Sequence, residues 1–278
     1  MESFLAGAVA GFAVDVSLFP LDTVKTRIQS KEGFTKAGGF TNIYRGLGIT
    51  ALGSVPGAGL FFGTYDTVKY LLIAEEPVIL GRQKTPSGAP LVIKHQVAAT
   101  FGEAAACSVR VPVEMIKQQM QAGQHRSMQA AAQSIWKTSG AKGFYKGYGI
   151  TMFREVPFAM IQFPIYEWFK RKINSESAFY RAVGGSVAGG IAAALTTPLD
   201  VAKTRIMLNQ SKSKEFFLVP LEVYREEGPA ALFKGVGPRV IWISVGGAVF
   251  FGAYEFSKGL MPGAKKQSQP VVGVPSPY

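Results

Sequence analysis

The sequence predicts an all-α membrane protein, with six transmembrane helices in three pseudo-threefold repeats around a central cavity and short surface helices between them. Three observations predict it. Long apolar segments dominate the chain: 47% of its 278 residues are hydrophobic and only 17% are charged, where a soluble protein carries about 25%. A motif of Pro, any residue, acid, two residues and Lys occurs at "PLDTVK" from Pro20, "PVEMIK" from Pro112 and "PLDVAK" from Pro198, at spacings of 92 and 86 residues. Two further motifs recur in step with it, "IYRGLG", "FYKGYG" and "LFKGVG", then "YDTVK", "YEWFK" and "YEFSK". Nine matches in one fixed order mark an internal repeat.

Each element follows from its own stretch. Repeat 1 (1–75) opens with apolar segment 3–29 and closes with 48–74. Repeat 2 (90–175) holds 95–121 and 149–172; repeat 3 (177–261) holds 178–208 and 237–261. Each segment supplies about 20 mostly apolar residues, enough to cross a bilayer at about 1.5 Å per residue. Strands are the weaker reading, because the runs are long and lack period-2 alternation. Glycines four apart, Gly7 with Gly11 and Gly185 with Gly189, favour close helix contacts. The polar stretch inside each repeat has room for a surface helix. That of repeat 1 is in doubt, because Pro20 to Gly46 spans 26 residues against 35 and 37 in the other repeats. The Pro-, Gly- and Ser-rich stretch 262–278 reads as a disordered tail, and no cleavable leader precedes segment 3–29.

Composition narrows the function. The formal charge of +12 suits nucleic acid, anionic lipid or an anionic substrate. The bases cluster beside apolar runs, which favours a lipid surface over nucleic acid. One cysteine, Cys107, forms no internal disulfide, and His95 and His125 stand too far apart to suggest a metal site. No cofactor is expected, and no catalytic constellation is visible.

The prolines and charges of the first motif answer to one another. Proline bends a membrane helix where neighbours satisfy the freed backbone groups. Acid and lysine lie three apart near one face, as Asp22 and Lys25 do. Under threefold symmetry Asp22, Glu114 and Asp200 can each meet a base among Lys25, Lys117 and Lys203 on the next helix, closing a neutral ring. The tyrosine motif offers a second set at the opposite end: Tyr65, Asp66 and Lys69; Tyr166, Glu167 and Lys170; Tyr254, Glu255 and Lys258.

Polar residues that break the threefold pattern inside the membrane are candidate cargo contacts. Asp15, five before Pro20, has Cys107 and Ala193 as counterparts; Glu103, nine before Pro112, has Gly11 and Gly189. Arg154 and Glu155 stand 12 and 11 before Tyr166, opposite Gly53–Ser54 and Trp242–Ile243. Three acids and one base give a formal −2, suiting a cargo of net positive charge. Arg154 matches a carboxylate and Glu155 an ammonium, the two ends of an α-amino acid. Trp242 is placed to stack on a ring or a cation. Cys107 reads as core filler.

The three motifs together resemble the mitochondrial carrier family over residues 1 to about 260. The resemblance implies alternating access in the mitochondrial inner membrane, with the surface helices on the matrix side, both termini toward the intermembrane space and a monomeric carrier. It implies a matrix gate at Pro20, Pro112 and Pro198, pairing Asp22 with Lys117, Glu114 with Lys203 and Asp200 with Lys25, and a cytosolic gate at the tyrosine set. It also implies cardiolipin at Arg45–Gly46, Lys146–Gly147 and Lys234–Gly235, where helix N-termini offer free N–H groups to phosphate. An Arg followed by an acid at 154–155 resembles the amino-acid branch. There the resemblance implies import of S-adenosylmethionine against S-adenosylhomocysteine. Basic amino acids such as ornithine, lysine or arginine are the nearest alternative cargo, and a non-transporting membrane scaffold is an alternative of another class.

Overall fold

The structure, a computed structural model, describes residues 2–74, 89–173, 178–213 and 215–246. The described residues form helices and turns, with no strand. Repeat 1 contributes α1 (Glu2–Gln29), a four-residue α2 (Gly33–Lys36) and α3 (Leu47–Ala74). Repeat 2 contributes α4 (Ala89–Gln121), α5 (Met128–Phe144) and α6 (Tyr148–Ile173). Repeat 3 contributes α7 (Ala178–Leu195), α8 (Thr197–Met207), α9 (Val219–Glu227) and α10 (236–246). The short loop of repeat 1 leaves a single turn of surface helix, whereas those of repeats 2 and 3 hold 17 and 9 residues. Tyr254, Glu255, Lys258 and the stretch 262–278 lie outside the described residues.

The three prolines act differently. α1 and α4 run on through Pro20 and Pro112. The third long segment breaks at Thr196, and Pro198 sits in the first turn of α8, where its missing N–H costs nothing. Small residues set the helix spacing. A Cβ on Gly53 would lie 2.6 Å from Val113 Cγ2 of α4, and one on Gly189 would lie 2.9 Å from Ile243 Cγ2 of α10. Gly185 faces the Tyr166 ring at ordinary contact distance.

The interior holds apolar clusters around Val111 and Val201 together with many buried polar side chains. Fully buried positions at the proline end include Arg27, Arg205, Gln29, Gln119 and Gln121, while Leu52, Phe62, Phe101, Val156, Met160 and Leu195 are exposed. An apolar perimeter around an interior whose buried polar groups are hydrogen-bonded suits lipid. By length and hydropathy alone only Leu47–Leu72 among the described helices qualifies to cross a membrane, with Val183–Leu195 a shorter apolar stretch. The other long helices carry more charged residues inside the span, among them Asp15, Asp22 and Lys25 in α1, Glu103, Arg110, Glu114 and Lys117 in α4 and Arg154 and Glu155 in α6, which dilute their hydropathy.

Candidate functional site

At the proline end the three long segments of α1, α4 and α7–α8 meet. Lys117 Nζ lies 2.8 Å from Asp22 Oδ2, Lys203 Nζ 2.7 Å from Glu114 Oε1, and Lys25 Nζ 2.7 Å from Asp200 Oδ2. Each pair joins one repeat to the next, between the partners named from the sequence. Lys117 also sits over the Phe19 ring at 5.2 Å. One helical turn further on, side chains buttress the ring. Gln121 Nε2 donates to Asp22 Oδ2 at 3.0 Å, and its Oε1 accepts from Thr26 Oγ1 at 3.0 Å. Gln29 does the same at the next junction, donating to Asp200 Oδ2 at 3.0 Å and accepting from Thr204 Oγ1 at 2.8 Å. Arg27 Nε donates to the Gln121 carbonyl and Arg205 Nε to the Gln29 carbonyl, at 2.8 and 2.6 Å.

At the tyrosine end Lys170 approaches Glu167 of its own helix at 3.6 Å. Lys69 lies 5.8 Å from the centroid of the Tyr65 ring, itself stacked on Phe61. None of Asp66, Lys69, Glu167 and Lys170 makes an ion pair across helices among the described residues. Tyr166 is half-buried. One end of the bundle is therefore tied by three inter-repeat ion pairs while the described part of the other is not.

Between the ends, Arg154 is 8% exposed and is paired with Glu155. Its Nε has no hydrogen-bond partner among the described residues, and Glu103, Glu114 and Asp200 lie within its electrostatic range. Asp15 is 9% exposed and within electrostatic range of Lys117. Glu103 is held by Arg110 at 2.5 Å and accepts from the Cys107 thiol at 3.4 Å. Trp242 is half-buried, and Ser54 Oγ donates to the Ala51 carbonyl of its own helix at 3.0 Å.

Two expectations need correction. Gly53 and Ile243 are helix contacts: Val113 fills the space in front of Gly53, and Ile243 packs on Gly189. The charge sum of −2 omitted two bases. Arg110 breaks the pattern against Leu18 and Thr196, and Arg239 breaks it against Thr50 and Thr151. Thr50 and Thr151 bond back to their own helices, whereas Arg239 donates to the Thr196 carbonyl and hydroxyl and lies 3.4 Å from Asp200. Counting Arg110 brings the sum to −1, and counting Arg239 brings it to zero. The symmetry rule that found Arg154 finds both. The glycines expected at lipid phosphates also pack against the following repeat. A Cβ on Gly46 would meet Lys117, on Gly147 Met207 and on Gly235 Gln29, each in the following repeat. Gly46 and Gly235 also adopt positive φ, 103° and 78°, which favours glycine. Lys146 donates to Asn209 at 3.0 Å and Lys234 pairs with Glu227 at 2.8 Å.

Comparison with known proteins fits this geometry. The family model described as "Mitochondrial carrier protein" matches residues 1–76, 89–177 and 174–265. An uncharacterized mitochondrial carrier of Schizosaccharomyces pombe is 48% identical over 264 residues, covering 91% of this chain and 73% of the relative. Mitochondrial S-adenosylmethionine carrier proteins of Danio rerio and Mus musculus are each 44% identical, over 262 and 268 residues, covering 91% and 93% of this chain and 94% of each relative.

Proposed function

The chain belongs to the mitochondrial carrier family, and from that premise we propose that it imports S-adenosylmethionine across the mitochondrial inner membrane in exchange for S-adenosylhomocysteine. It is a transporter, not an enzyme. The proline end faces the matrix, the termini face the intermembrane space, and one monomer carries the whole path. In this reading the three inter-repeat ion pairs are a shut matrix gate, with the path open toward the tyrosine end. Cargo binding offsets the loss of that ring, after which the tyrosine set, including Tyr254, Glu255 and Lys258, closes in turn. Cardiolipin at the helix starts near Arg45, Lys146 and Lys234 stays part of this reading.

The observation that carries the cargo assignment is the buried Arg154–Glu155 pair. The two charges neutralise each other, yet Arg154 Nε has no hydrogen-bond partner among the described residues, a costly state for a buried donor. The carboxylate and ammonium of an α-amino acid replace that internal pair and satisfy the spare donor. Asp15 faces the sulfonium, which makes the cargo a net monocation, and Trp242 offers the adenine a stacking surface. Because the revised charge sum lies between −1 and zero, the distinction from ornithine rests on the named relatives and on the adenine. Moving one positive charge inward gains about 2.3 kcal/mol per 100 mV of inside-negative potential.

The test is exchange in liposomes. Vesicles loaded with S-adenosylhomocysteine are expected to take up labelled S-adenosylmethionine, and Arg154→Ala or Glu155→Ala to lose at least about tenfold of that rate, the equivalent of about 1.4 kcal/mol, while remaining folded. Asp15→Asn weakens S-adenosylmethionine more than S-adenosylhomocysteine. Equal exchange of ornithine by the unaltered chain would overturn the assignment.

A further inference from the structure

A cavity of about 230 Å³ lies beyond the proline-end ring, between repeats 2 and 3. Its wall includes His125, Ser134, Ser139 and Lys146 from repeat 2 and Asn209 from repeat 3. The chemistry of the wall is one-sided. Lys146 lines it and no carboxylate among the described residues does; in the surrounding chain no Asp or Glu occurs between Glu114 and Glu155, a stretch that also carries Lys117, Arg126, Lys137, Lys142 and Arg154. The loop of repeat 3 differs: Glu222, Glu226 and Glu227 balance its bases.

Donors remain unused around this space. Ser134 and Ser139 donate no hydrogen bond among the described residues. Lys146 spends one of its three protons on Asn209 Oδ1, which leaves two ammonium protons and the Asn209 amide N–H groups. His125 adds a ring N–H. The volume falls below the roughly 300–1,000 Å³ of sites for drug-sized ligands, so it fits a small ion and not a nucleotide. The walls meet through Gln119 and Gln124, which reach the carbonyls of Met207 and Leu208, each at 3.2 Å.

We propose that this cavity binds a phosphate-type oxyanion that bridges repeats 2 and 3 on the matrix face. The assignment of the face rests on the transport reading; the binding does not. The oxyanion gathers Lys146, Ser139 and His125 on one side and Asn209 on the other. It thereby ties the one junction at which Met207 stands where the other two carry Gln29 and Gln121, and it stabilises the shut matrix end. Its source is either free phosphate or a lipid headgroup.

The test uses the purified full chain in lipid-free detergent. Inorganic phosphate, against chloride at equal ionic strength, is expected to raise the melting temperature by about 3 °C. His125→Gln and Ser139→Ala each keep the unliganded melting temperature and lose that rise. Broadening of the phosphorus resonance by the unaltered chain reports binding without any variant. If the rise instead comes only with added cardiolipin and is lost in both variants, the site holds and the oxyanion is a lipid phosphate. A rise matched by chloride, a rise that survives both substitutions, or no rise and no broadening with either source sinks the proposal. Neither measurement involves transport, so failed S-adenosylmethionine exchange leaves it standing.

Discussion

The three junctions of the proline-end ring share one design, but only two complete it. Between repeats 1 and 2, Thr26, Arg27 and Gln121 surround the Asp22–Lys117 pair. Between repeats 3 and 1, Thr204, Arg205 and Gln29 surround Asp200–Lys25. Between repeats 2 and 3 the equivalent positions are Gln118, Gln119 and Met207. Methionine has no proton to give Glu114, so Gln118 from the same helix supplies it at 3.0 Å, and its own Oε1 is left buried without a partner. Gln119 still reaches the Met207 carbonyl, as Arg27 and Arg205 reach theirs, but without a charge. Hydrogen bonds to charged groups contribute about 1.5–3 kcal/mol and neutral ones about 0.5–1.5. The ring is thus formally symmetric in its ion pairs and lopsided in its hydrogen bonds, which predicts that the junction between repeats 2 and 3 gives way first.

The sharpest way to break this comparison is to remove the arginine that the weak junction lacks. Arg205 is 2% exposed, is bidentate to Glu227 at 2.6 and 2.9 Å, and holds the Gln29 carbonyl. Its loss removes both hydrogen bonds to Glu227, which keeps Lys234 as its partner, and the one to the Gln29 carbonyl, together about 3–5 kcal/mol. Arg205→Ala is therefore expected to lower the melting temperature by about 10 °C. Gln119→Ala, at the matching place, removes one neutral bond worth about 1 kcal/mol. Thermal unfolding in one detergent measures both. Equal losses would mean that the three junctions are equivalent.

How much of this was legible in the chain depends on what a residue does there. The long segments among the described residues were readable because proline, acid and lysine recur at fixed spacing; symmetry offers each acid a lysine of a neighbouring repeat, and the family resemblance supplied which one. The break at Thr196 was not, since Pro20, Pro112 and Pro198 look alike locally and only tertiary packing decides which helix continues. Gly53 and Ile243 were misread because a pattern break says that a position is unusual, not whether it faces a cavity or a neighbour. Arg110 and Arg239 were within reach of the same rule. The buttressing of the ring by Gln29 and Gln121 lay one helical turn past the motif, and "KTRIQ" differs from "KQQMQ" and "KTRIM" in ways that gain meaning only once side chains meet.

A smaller effect follows from completing the third junction. Gln118→Thr, Gln119→Arg and Met207→Gln together install there the groups found at the other two. Glutamine is close to methionine in length, and position 207 lies against Gly147, which leaves no Cβ in the way. A gain of about 1–2 kcal/mol in the shut ring slows its opening about five- to thirtyfold, read as initial exchange rate in liposomes, with binding of S-adenosylmethionine at the unchanged Arg154–Glu155 pair preserved. Unaltered rates would show that opening does not start at this junction.

The smallest effect lies on the surface of the strong junction. Glu226 joins Lys31 of repeat 1 to Lys212 of repeat 3, at 2.8 and 2.7 Å. Hydrogen bonds from Lys212 and then Lys31 draw its carboxyl down to about 2 from an ordinary 4.5. A depressed carboxylate stabilises the folded state at pH values above its unfolded pKa, and that contribution fades as pH falls toward the folded value. The gap in melting temperature between the unaltered chain and Glu226→Gln is therefore level from about pH 8 to about pH 5 and shrinks below about 4.5. The pair is exposed to solvent and salt, so the gap is small throughout. No carboxylate takes part in the Lys146–Asn209 contact at the weak junction, so the gap produced by Lys146→Gln in chloride buffer stays flat across the same range. A Glu226→Gln gap that is equally flat would mean that this surface network adds nothing to the junction, and that its strength resides wholly in the buried Arg205 and Gln29.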